Sequence, residues 1–177
     1  MKKQELLQSG IGRKIIFIGR AADMISISLS PTSECPYEFA IHIMTDGEIF
    51  LDGKLLTNTE EIFEFVLPSV TKYDNKIAEL QNSEKAFYLQ KIFYDDQNCI
   101  HAEFSDGLEI HSCLSELDAQ TDDELWRVFL HWKAEAHLIA TGQGVILETC
   151  DETQEELDRK RTILQEAREK RARKRNT

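Results

Sequence analysis

The chain has 177 residues, of which 41% are hydrophobic and 30% are charged, and its formal net charge at pH 7 is −11. A chain of this length buries roughly two-thirds of the surface that its unfolded form exposes, so its core needs neither a metal nor a disulfide. No apolar stretch approaches the roughly 18 residues of a membrane-spanning helix. The composition excludes a wholly disordered chain as well.

The start of the chain and its four cysteines both indicate a cytoplasmic protein. Lys2 and Lys3 are followed by a mixed polar segment instead of the apolar run of a secretory signal peptide. The cysteines lack the spacing of a disulfide framework. We therefore expect reduced thiols that pack as small hydrophobic side chains.

Charge is distributed unevenly along the sequence. Residues 1–150 contain 12 Lys and Arg against 25 Asp and Glu, a formal charge of −13, whereas residues 151–177 carry +2. We predict a globular domain over 1–150 and a charged helical tail over 151–177. The acidic domain attracts cationic proteins and repels nucleic acid, and the basic tail has no aromatic residue for stacking on bases.

The first predicted elements are a short helix over 2–8 and an apolar stretch over 14–29. Residues 25–29 alternate between apolar side chains and serines, which is typical of a strand with one buried face. Arg20 and Asp23 interrupt the apolar stretch, so we expect a turn or bulge near them and an ion pair between them. A ligand-binding role for Arg20 is the alternative.

Three Asp-Gly pairs are the strongest local signals: Asp46-Gly47, Asp52-Gly53 and Asp106-Gly107. Aspartate and glycine tolerate the positive φ of tight turns, so each pair predicts a hairpin. The alternation over 39–44 predicts a strand that ends before the first pair and carries His42. For His42 we favour a structural, hydrogen-bonded role over a catalytic one.

Two further helices are predicted, over 70–82 and 151–173. The first has Tyr73, Ile77 and Leu80 on one face. The second begins with acidic residues and ends with basic ones, which matches the helix dipole. Its apolar residues are sparse, so we expect it to project from the domain or to rest lightly on it.

The hairpin at Asp106 can be predicted in detail. A three-residue loop over 105–107, with Gly107 in the left-handed region, pairs Phe104 with Leu108 and Ala102 with Ile110, which gives one apolar face. The opposite face then carries two thiols and two imidazoles: Cys99, His101, His111 and Cys113. Such a set is common in structural zinc sites, yet four ligands on a flat hairpin do not easily form a tetrahedron. We favour ordinary cross-strand pairs and keep zinc as an alternative.

Residues 122–133 satisfy two patterns at once. A capping box at the start and apolar residues at helical spacing favour a helix, whereas alternation of Trp126, Val128 and Leu130 favours a strand. We predict a strand, then a turn over 133–136 and a second strand over 137–141. On these strands Arg127 and His137 are candidate ligand-binding residues. Residues 141–144 indicate a tight turn.

Five short segments of the sequence are considered together, in this order along the chain: 18–24 (IGRAADM), 38–43, 104–108, 125–127 and 137–142. They resemble a family of small uncharacterised bacterial proteins that carry an IGRAADM segment followed by a YALHIQ-like strand. The resemblance covers roughly residues 11–144 and implies a bacterial, cytosolic origin without an established activity. It directs attention to Arg20, Asp23 and His42. The family has a Trp-Arg pair after the strand, where this chain has Thr45-Asp46.

The sequence as a whole predicts an α+β fold: a mainly antiparallel sheet of about six to nine strands, one or two covering helices and the charged C-terminal helix. No motif names a reaction, and no cofactor is expected. The leading hypothesis is a non-catalytic binding protein whose acidic surface meets a basic partner, for example an immunity-type inhibitor. One alternative is a small-molecule-binding or enzymatic pocket near Arg20, Asp23 and His42. Another is a module stabilised by zinc.

Overall fold

A computed structural model describes residues 2–115, 118 and 122–175, with side chains described as far as residue 166. Two antiparallel sheets supply most of one hydrophobic core, with helices at its margins, which confirms the predicted α+β class. The described residues form thirteen strands in two sheets and a two-stranded ribbon, whereas the sequence predicted a single sheet of about six to nine strands. Within this part of the chain no helix has both the length and the apolar character needed to cross a membrane.

The first sheet has six strands in the order β1-β2-β3-β11-β12-β13. Every neighbouring pair in it is antiparallel. Its strands are β1 (Ile15–Ala21), β2 (Met24–Leu29), β3 (Phe39–Ile43), β11 (Glu124–Leu130), β12 (His137–Thr141) and β13 (Gly144–Glu148).

The second sheet has five strands in the order β5-β4-β10-β9-β8, and a separate ribbon pairs β6 with β7. These strands are β4 (Gly47–Leu51), β5 (Lys54–Asn58), β6 (Phe65–Leu67), β7 (Val70–Thr71), β8 (Leu89–Tyr94), β9 (Ile100–Phe104) and β10 (Leu108–Ser112). The helices are α1 (Lys3–Gln8), α2 (Lys72–Gln81) and α3 (Gln154–Arg175).

Alternation along the central strands decides which side chains reach the core. On β3, Phe39, Ile41 and Ile43 are almost completely buried, whereas His42 points to the opposite face of the sheet. Trp126 on the neighbouring β11 is fully buried as well, and its indole Nε1 donates to the Asn98 carbonyl oxygen at 2.6 Å. Each large apolar side chain buried in this way stabilises the fold by about 1.5–3 kcal/mol.

Two of the three Asp-Gly pairs form the hairpins that their chemistry predicts. Asp52 (φ 51°) and Gly53 (φ 71°) join β4 to β5. Residues 105–107 join β9 to β10, with Gly107 at φ 74°. The pairing of Ile110 with Ala102 confirms the predicted register.

The hairpin prediction for Asp46-Gly47 is wrong, because this pair leads from β3 in the first sheet to β4 in the second. Gly47 is needed there for space. A Cβ atom at this position would lie 2.9 Å from Ile25 Cδ1 and 3.2 Å from Ile43 Cγ2. Turn chemistry identified a bend, but it did not indicate which sheet the next strand joins.

The predicted helices all form. On α2 the buried residues are Tyr73, Ile77 and Leu80, as expected, and the Thr71 side chain caps the N-terminus by accepting from the Asp74 backbone N–H. This helix begins at Lys72 because β7 takes residues 70–71.

The C-terminal helix α3 touches the body near its start. Leu157 is buried, and Gln154 bonds with the backbone of the loop after β11, where it accepts from Ala134 N and donates to the Trp132 carbonyl oxygen. Further along, Ile163 and Leu164 are exposed. The basic side chains beyond residue 166 lie outside the described residues.

The ambiguous segment 122–133 contains strand β11, as predicted, and β12 follows at the predicted residues 137–141. The burial of alternate side chains on β11, from Trp126 to Leu130, explains why the two-residue period decided the outcome. Thr141 pairs with Gly144 across the tight turn that joins β12 to β13.

Candidate functional site

Three of the predicted site residues, His42, Arg127 and His137, lie together on the outer face of the six-stranded sheet. The sheet register places Arg127 directly opposite His42 of β3. Arg127 Nη1 lies 2.9 Å from His137 Nδ1. We call these residues, together with Glu124, the Arg127 cluster.

Carboxylates compensate the charge of Arg127. Its Nε and Nη2 atoms donate to the two carboxylate oxygens of Glu124, both at 2.6 Å, and Glu148 Oε2 lies 3.7 Å from Nη2. The bonds to Glu124 raise the pKa of Arg127. The guanidinium is therefore held in place by its own neighbours, and only 28% of its side chain is exposed.

The two histidines of the Arg127 cluster are uncharged near neutral pH. Burial, and then the positive charges of His131 and Arg127, lower the pKa of His42. Burial, followed by the charge of Arg127, lowers the pKa of His137, whose Nδ1 thus accepts the bond from Arg127. Phe129 packs against both rings, with centroids 5.0 Å from His42 and 4.8 Å from His137.

Arg20 and Asp23 belong to other parts of the molecule. Arg20 donates to both carboxylate oxygens of Asp74 on α2, at 2.9 and 3.0 Å, so the predicted ion pair with Asp23 is wrong. Asp23 is exposed in the turn between β1 and β2, where Ala22 has φ 56°. The turn itself was predicted, but it directs Asp23 away from Arg20.

The structure therefore separates Arg20, Asp23 and His42, which the pocket hypothesis placed around one ligand. In the sheet register Arg20 is aligned with Ile25, which is aligned with Ile43, whereas His42 is aligned with Ser26. Adjacent positions on a strand point to opposite faces of the sheet, so Arg20 and His42 lie on different faces.

The four residues considered as zinc ligands lie on and beside the five-stranded sheet: Cys99, His101, His111 and Cys113. His101 and His111 are opposite each other, as predicted, with ring centroids 4.9 Å apart. His101 bonds to Asp95, Cys113 bonds to Glu48, and Cys99 is buried. Among the described residues, no group of three or more His, Cys, Asp or Glu side chains is arranged to hold a metal ion.

A feature that the sequence did not predict is a cleft of about 270 Å³ at one end of the two sheets. We call it the acidic cleft, because Asp23, Asp46 and Asp118 contribute to its lining. The aspartates come from separate segments: the β1–β2 turn, the crossover from β3 to β4, and the region after β10. The described lining residues include no lysine or arginine.

Asp118 accepts the most side-chain hydrogen bonds of these carboxylates among the described residues. It accepts from Thr45 Oγ1 at 2.8 Å and from the N and Oγ atoms of Ser115 at 2.9 and 2.8 Å. Burial raises the pKa of Asp118, but the bonds from Ser115 and Thr45 outweigh burial and leave the pKa below its usual value. This wall of the cleft is therefore anionic at neutral pH.

An exposed apolar segment adjoins the acidic cleft. Phe63 lines the cleft and is 65% exposed. Strand β6, which follows it, exposes Phe65 (65%), Val66 (44%) and Leu67 (62%). We call residues 63–67 the apolar ribbon. Large apolar side chains this exposed and this close together are typical of surfaces that bind another molecule.

Comparison with known protein families, with curated proteins and with solved structures gives no significant match to this chain. The resemblance to the IGRAADM proteins therefore stays a prediction.

Sequence reasoning identified each of these two regions in part. His42 was singled out as a polar residue within an apolar strand, His137 by its place near Trp126, and Arg127 within the segment 125–127 of the resemblance, whereas Glu124 was not. In the acidic cleft Asp23 was a predicted site residue, but no local pattern linked it to Asp46 and Asp118, since the three aspartates meet only after folding. The run of Phe, Val and Leu over 65–67 was a usable signal for an exposed segment, because it is too short for a core strand and ends at Pro68.

Proposed function

We propose that this protein is a non-catalytic binding protein, and that its acidic cleft and apolar ribbon together bind a basic protein. The observation that carries the proposal is the lining of the acidic cleft, where Asp23, Asp46 and Asp118 stand beside exposed Phe63. Carboxylates with apolar neighbours fit a lysine or arginine, whose aliphatic stem packs while its charged end pairs.

Cations near the apolar ribbon are already paired. Lys72 forms an ion pair with Glu64, Lys76 with Glu61, and Arg20 with Asp74. Within each pair the two charges compensate each other, so these cations do not neutralise the carboxylates of the acidic cleft. A concentrated negative potential accelerates encounter with a cationic partner and selects against an anionic one.

The apolar ribbon supplies the apolar contact area that an interface needs in addition to charged groups. Protein interfaces combine an apolar, desolvated centre with a polar margin, and aromatic side chains are enriched at the centre. Phe63 and Phe65 would form that centre, while the aspartates of the acidic cleft orient the partner. The form of this function that we favour is an immunity-type inhibitor of a basic protein in the bacterial cytoplasm.

The test compares two double variants with the same change of charge. Asp23→Asn with Asp46→Asn neutralises the acidic cleft, whereas Asp52→Asn with Asp106→Asn removes the same charge elsewhere. Asp46 and Asp52 flank opposite ends of β4, which is roughly 17 Å long. Asp52 and Asp106 have positive φ, which asparagine tolerates, so the control variant should fold normally.

Binding of a fluorescent peptide rich in lysine and arginine is measured by anisotropy at increasing salt. We expect the acidic-cleft variant to bind at least about tenfold more weakly at low salt, and the control variant to bind nearly like the unmodified protein. Affinity purification with the same three proteins then identifies a partner retained by the control and lost by the acidic-cleft variant. Equal losses in both double variants would overturn the proposal, because binding would then reflect net charge alone.

A further inference from the structure

The C-terminal part of α3 is complementary in charge to the acidic cleft, although both belong to the same chain. Residues 168–175 contain six Lys and Arg against one Glu, hence a formal charge of +5. We call them the basic segment. Its backbone continues α3 as far as Arg175. Arg168, Arg171 and Arg175 recur with the spacing i, i+3 and i+7, which corresponds to one face of a helix.

The course of α3 keeps the basic segment away from the acidic cleft of its own molecule. Near the start of the helix, Leu157 lines a cavity with Trp132, and further along Leu164 lines another cavity with Tyr37 and Trp132. Tyr37 precedes β3 and Trp132 follows β11, so both lie at the same end of this antiparallel strand pair. The axis of α3 therefore crosses that end of the sheet instead of following the strands.

The acidic cleft lies at the opposite end of the same two strands. Asp46 comes after β3 has ended at Ile43, and Asp118 comes before β11 begins at Glu124. Strand β3 has five residues and is roughly 17 Å long. A helix that continues straight across the far end of the sheet does not turn back along this distance. Within one molecule, the basic segment and the acidic cleft therefore do not meet.

The size of the acidic cleft fits side chains better than a whole helix. A helix with its side chains is about 10 Å across, whereas the cleft has a volume of about 270 Å³. Long basic side chains can enter it and pair with Asp23 and Asp46, which are exposed and form no ion pair among the described residues. Arginine also stacks on aromatic rings, and Phe63 beside the cleft is 65% exposed.

We propose that the basic segment of a second copy of this chain binds in the acidic cleft, and that two copies exchange these segments reciprocally. The inference rests on the proposed function, because it identifies the basic protein that occupies the acidic cleft of the isolated protein. Each molecule carries the cleft and α3 at opposite ends of β3, so two copies side by side in opposite directions satisfy both contacts. Such an exchange has twofold symmetry and closes as a dimer. Any other basic partner has to displace the basic segment.

The first experiment reverses the charge on each side of the contact in the full-length chain. Asp23→Lys with Asp46→Lys makes the acidic cleft basic, and a second variant makes the basic segment acidic: Arg168→Glu, Arg171→Glu and Arg175→Glu. Sedimentation equilibrium at about 0.15 M salt gives the mass of each protein. We expect the unmodified protein to have twice the mass of the 20.4 kDa chain. Each variant alone should be monomeric, because like charges then face each other.

An equimolar mixture of the two variants is the decisive sample. Lysines in the cleft of one variant meet glutamates of the other, and the second contact retains its original charges, so the dimer should return. Its return also shows that both variants are folded. A mixture that stays monomeric, or an unmodified protein that is monomeric up to about 0.1 mM, would overturn the exchange. A mass above that of a dimer would contradict its closed form.

The matched control is Glu79→Lys with Asp96→Lys, which makes the same change of charge at exposed positions outside the acidic cleft. This variant should remain dimeric on its own. Dissociation of the control as complete as that of the cleft variant would show that net charge governs association, and the proposed contact would then be wrong.

The anisotropy assay with the peptide rich in lysine and arginine separates this inference from the proposed function. An excess of the peptide should convert the dimer to monomers, because both ligands occupy the acidic cleft. If the unmodified protein is monomeric but still binds the peptide more tightly than Asp23→Asn with Asp46→Asn, the exchange is wrong and the proposed function stands. If those two substitutions leave peptide binding unchanged, the proposed function itself fails.

Discussion

The Arg127 cluster and the acidic cleft both contain carboxylates, but they differ in how those negative charges are balanced. In the cluster, Arg127 is bonded to Glu124, and the adjacent imidazoles are uncharged. In the acidic cleft, carboxylates stand beside exposed Phe63 with no cation among the described lining residues. We therefore expect the balanced network of the Arg127 cluster to stabilise its sheet. The carboxylates of the acidic cleft are the ones that we propose for binding a partner.

The largest effect on stability is expected from a substitution in the Arg127 cluster. Arg127→Met removes three charge-assisted hydrogen bonds, two to Glu124 and one to His137, and leaves the Glu124 carboxylate, with 26% of its side chain exposed, without its main partner. We expect the free energy of unfolding to fall by about 2 kcal/mol, measured by chemical denaturation.

The matched control for Arg127→Met is Lys91→Met, which breaks an ion pair with Glu103 of similar length at a much more exposed position. An exposed pair contributes at most about 1 kcal/mol, so this variant should be nearly neutral. Equal losses of stability in the two variants would show that the Arg127 cluster is no more structural than an ordinary surface pair.

A change of pH is expected to have a smaller effect on stability, through the two histidines of the Arg127 cluster. The pKa values of His42 and His137 are lowered in the folded state, so the unfolded chain binds more protons than the folded one as pH falls. Their contribution to stability is fully present above the unfolded pKa of about 6.5 and is lost as pH falls through their folded pKa values.

Denaturation between about pH 7.5 and about pH 5.5 checks this expectation. The free energy of unfolding should decrease over this range in the unmodified protein, and the decrease should be smaller in the double variant His42→Gln with His137→Gln. A pH dependence that is identical in the two proteins would place the titrating groups elsewhere.

The smallest effect on stability is expected in the acidic cleft. Asp23→Asn with Asp46→Asn removes repulsion between like charges and no ion pair in the described structure, so the free energy of unfolding should change by less than about 0.5 kcal/mol or rise slightly. Thermal and chemical denaturation both report on this change. A clear loss of stability would mean that these carboxylates are structural, and the contrast between the two regions would fail.

Local patterns predicted the fold better than they predicted the site. The buried face of α2 and the register at Asp106 follow from periodicity and turn chemistry, both of which act over a few residues. The ion pair of Arg20 with Asp74 joins positions 54 residues apart in sequence, and no short pattern encodes it. For the same reason no pattern linked Asp23, a predicted site residue, to Asp46 and Asp118, because the three become neighbours only when three separate segments meet. His42 was found because it is a polar residue within an apolar strand, and His137 because it lies near Trp126 in the sequence.

The order of strands also constrains how this molecule reaches its native state. Strand β3 ends at Ile43 and its neighbour β11 begins at Glu124, and the whole five-stranded sheet is encoded between them. Pairing β3 with β11 closes a very long loop. If the intervening chain is still disordered, this closure has a high entropic cost and slows folding. Prior collapse of residues 47–112 would shorten that search, so we expect the central strand pair to form late, after the second sheet has brought both of its strands close together.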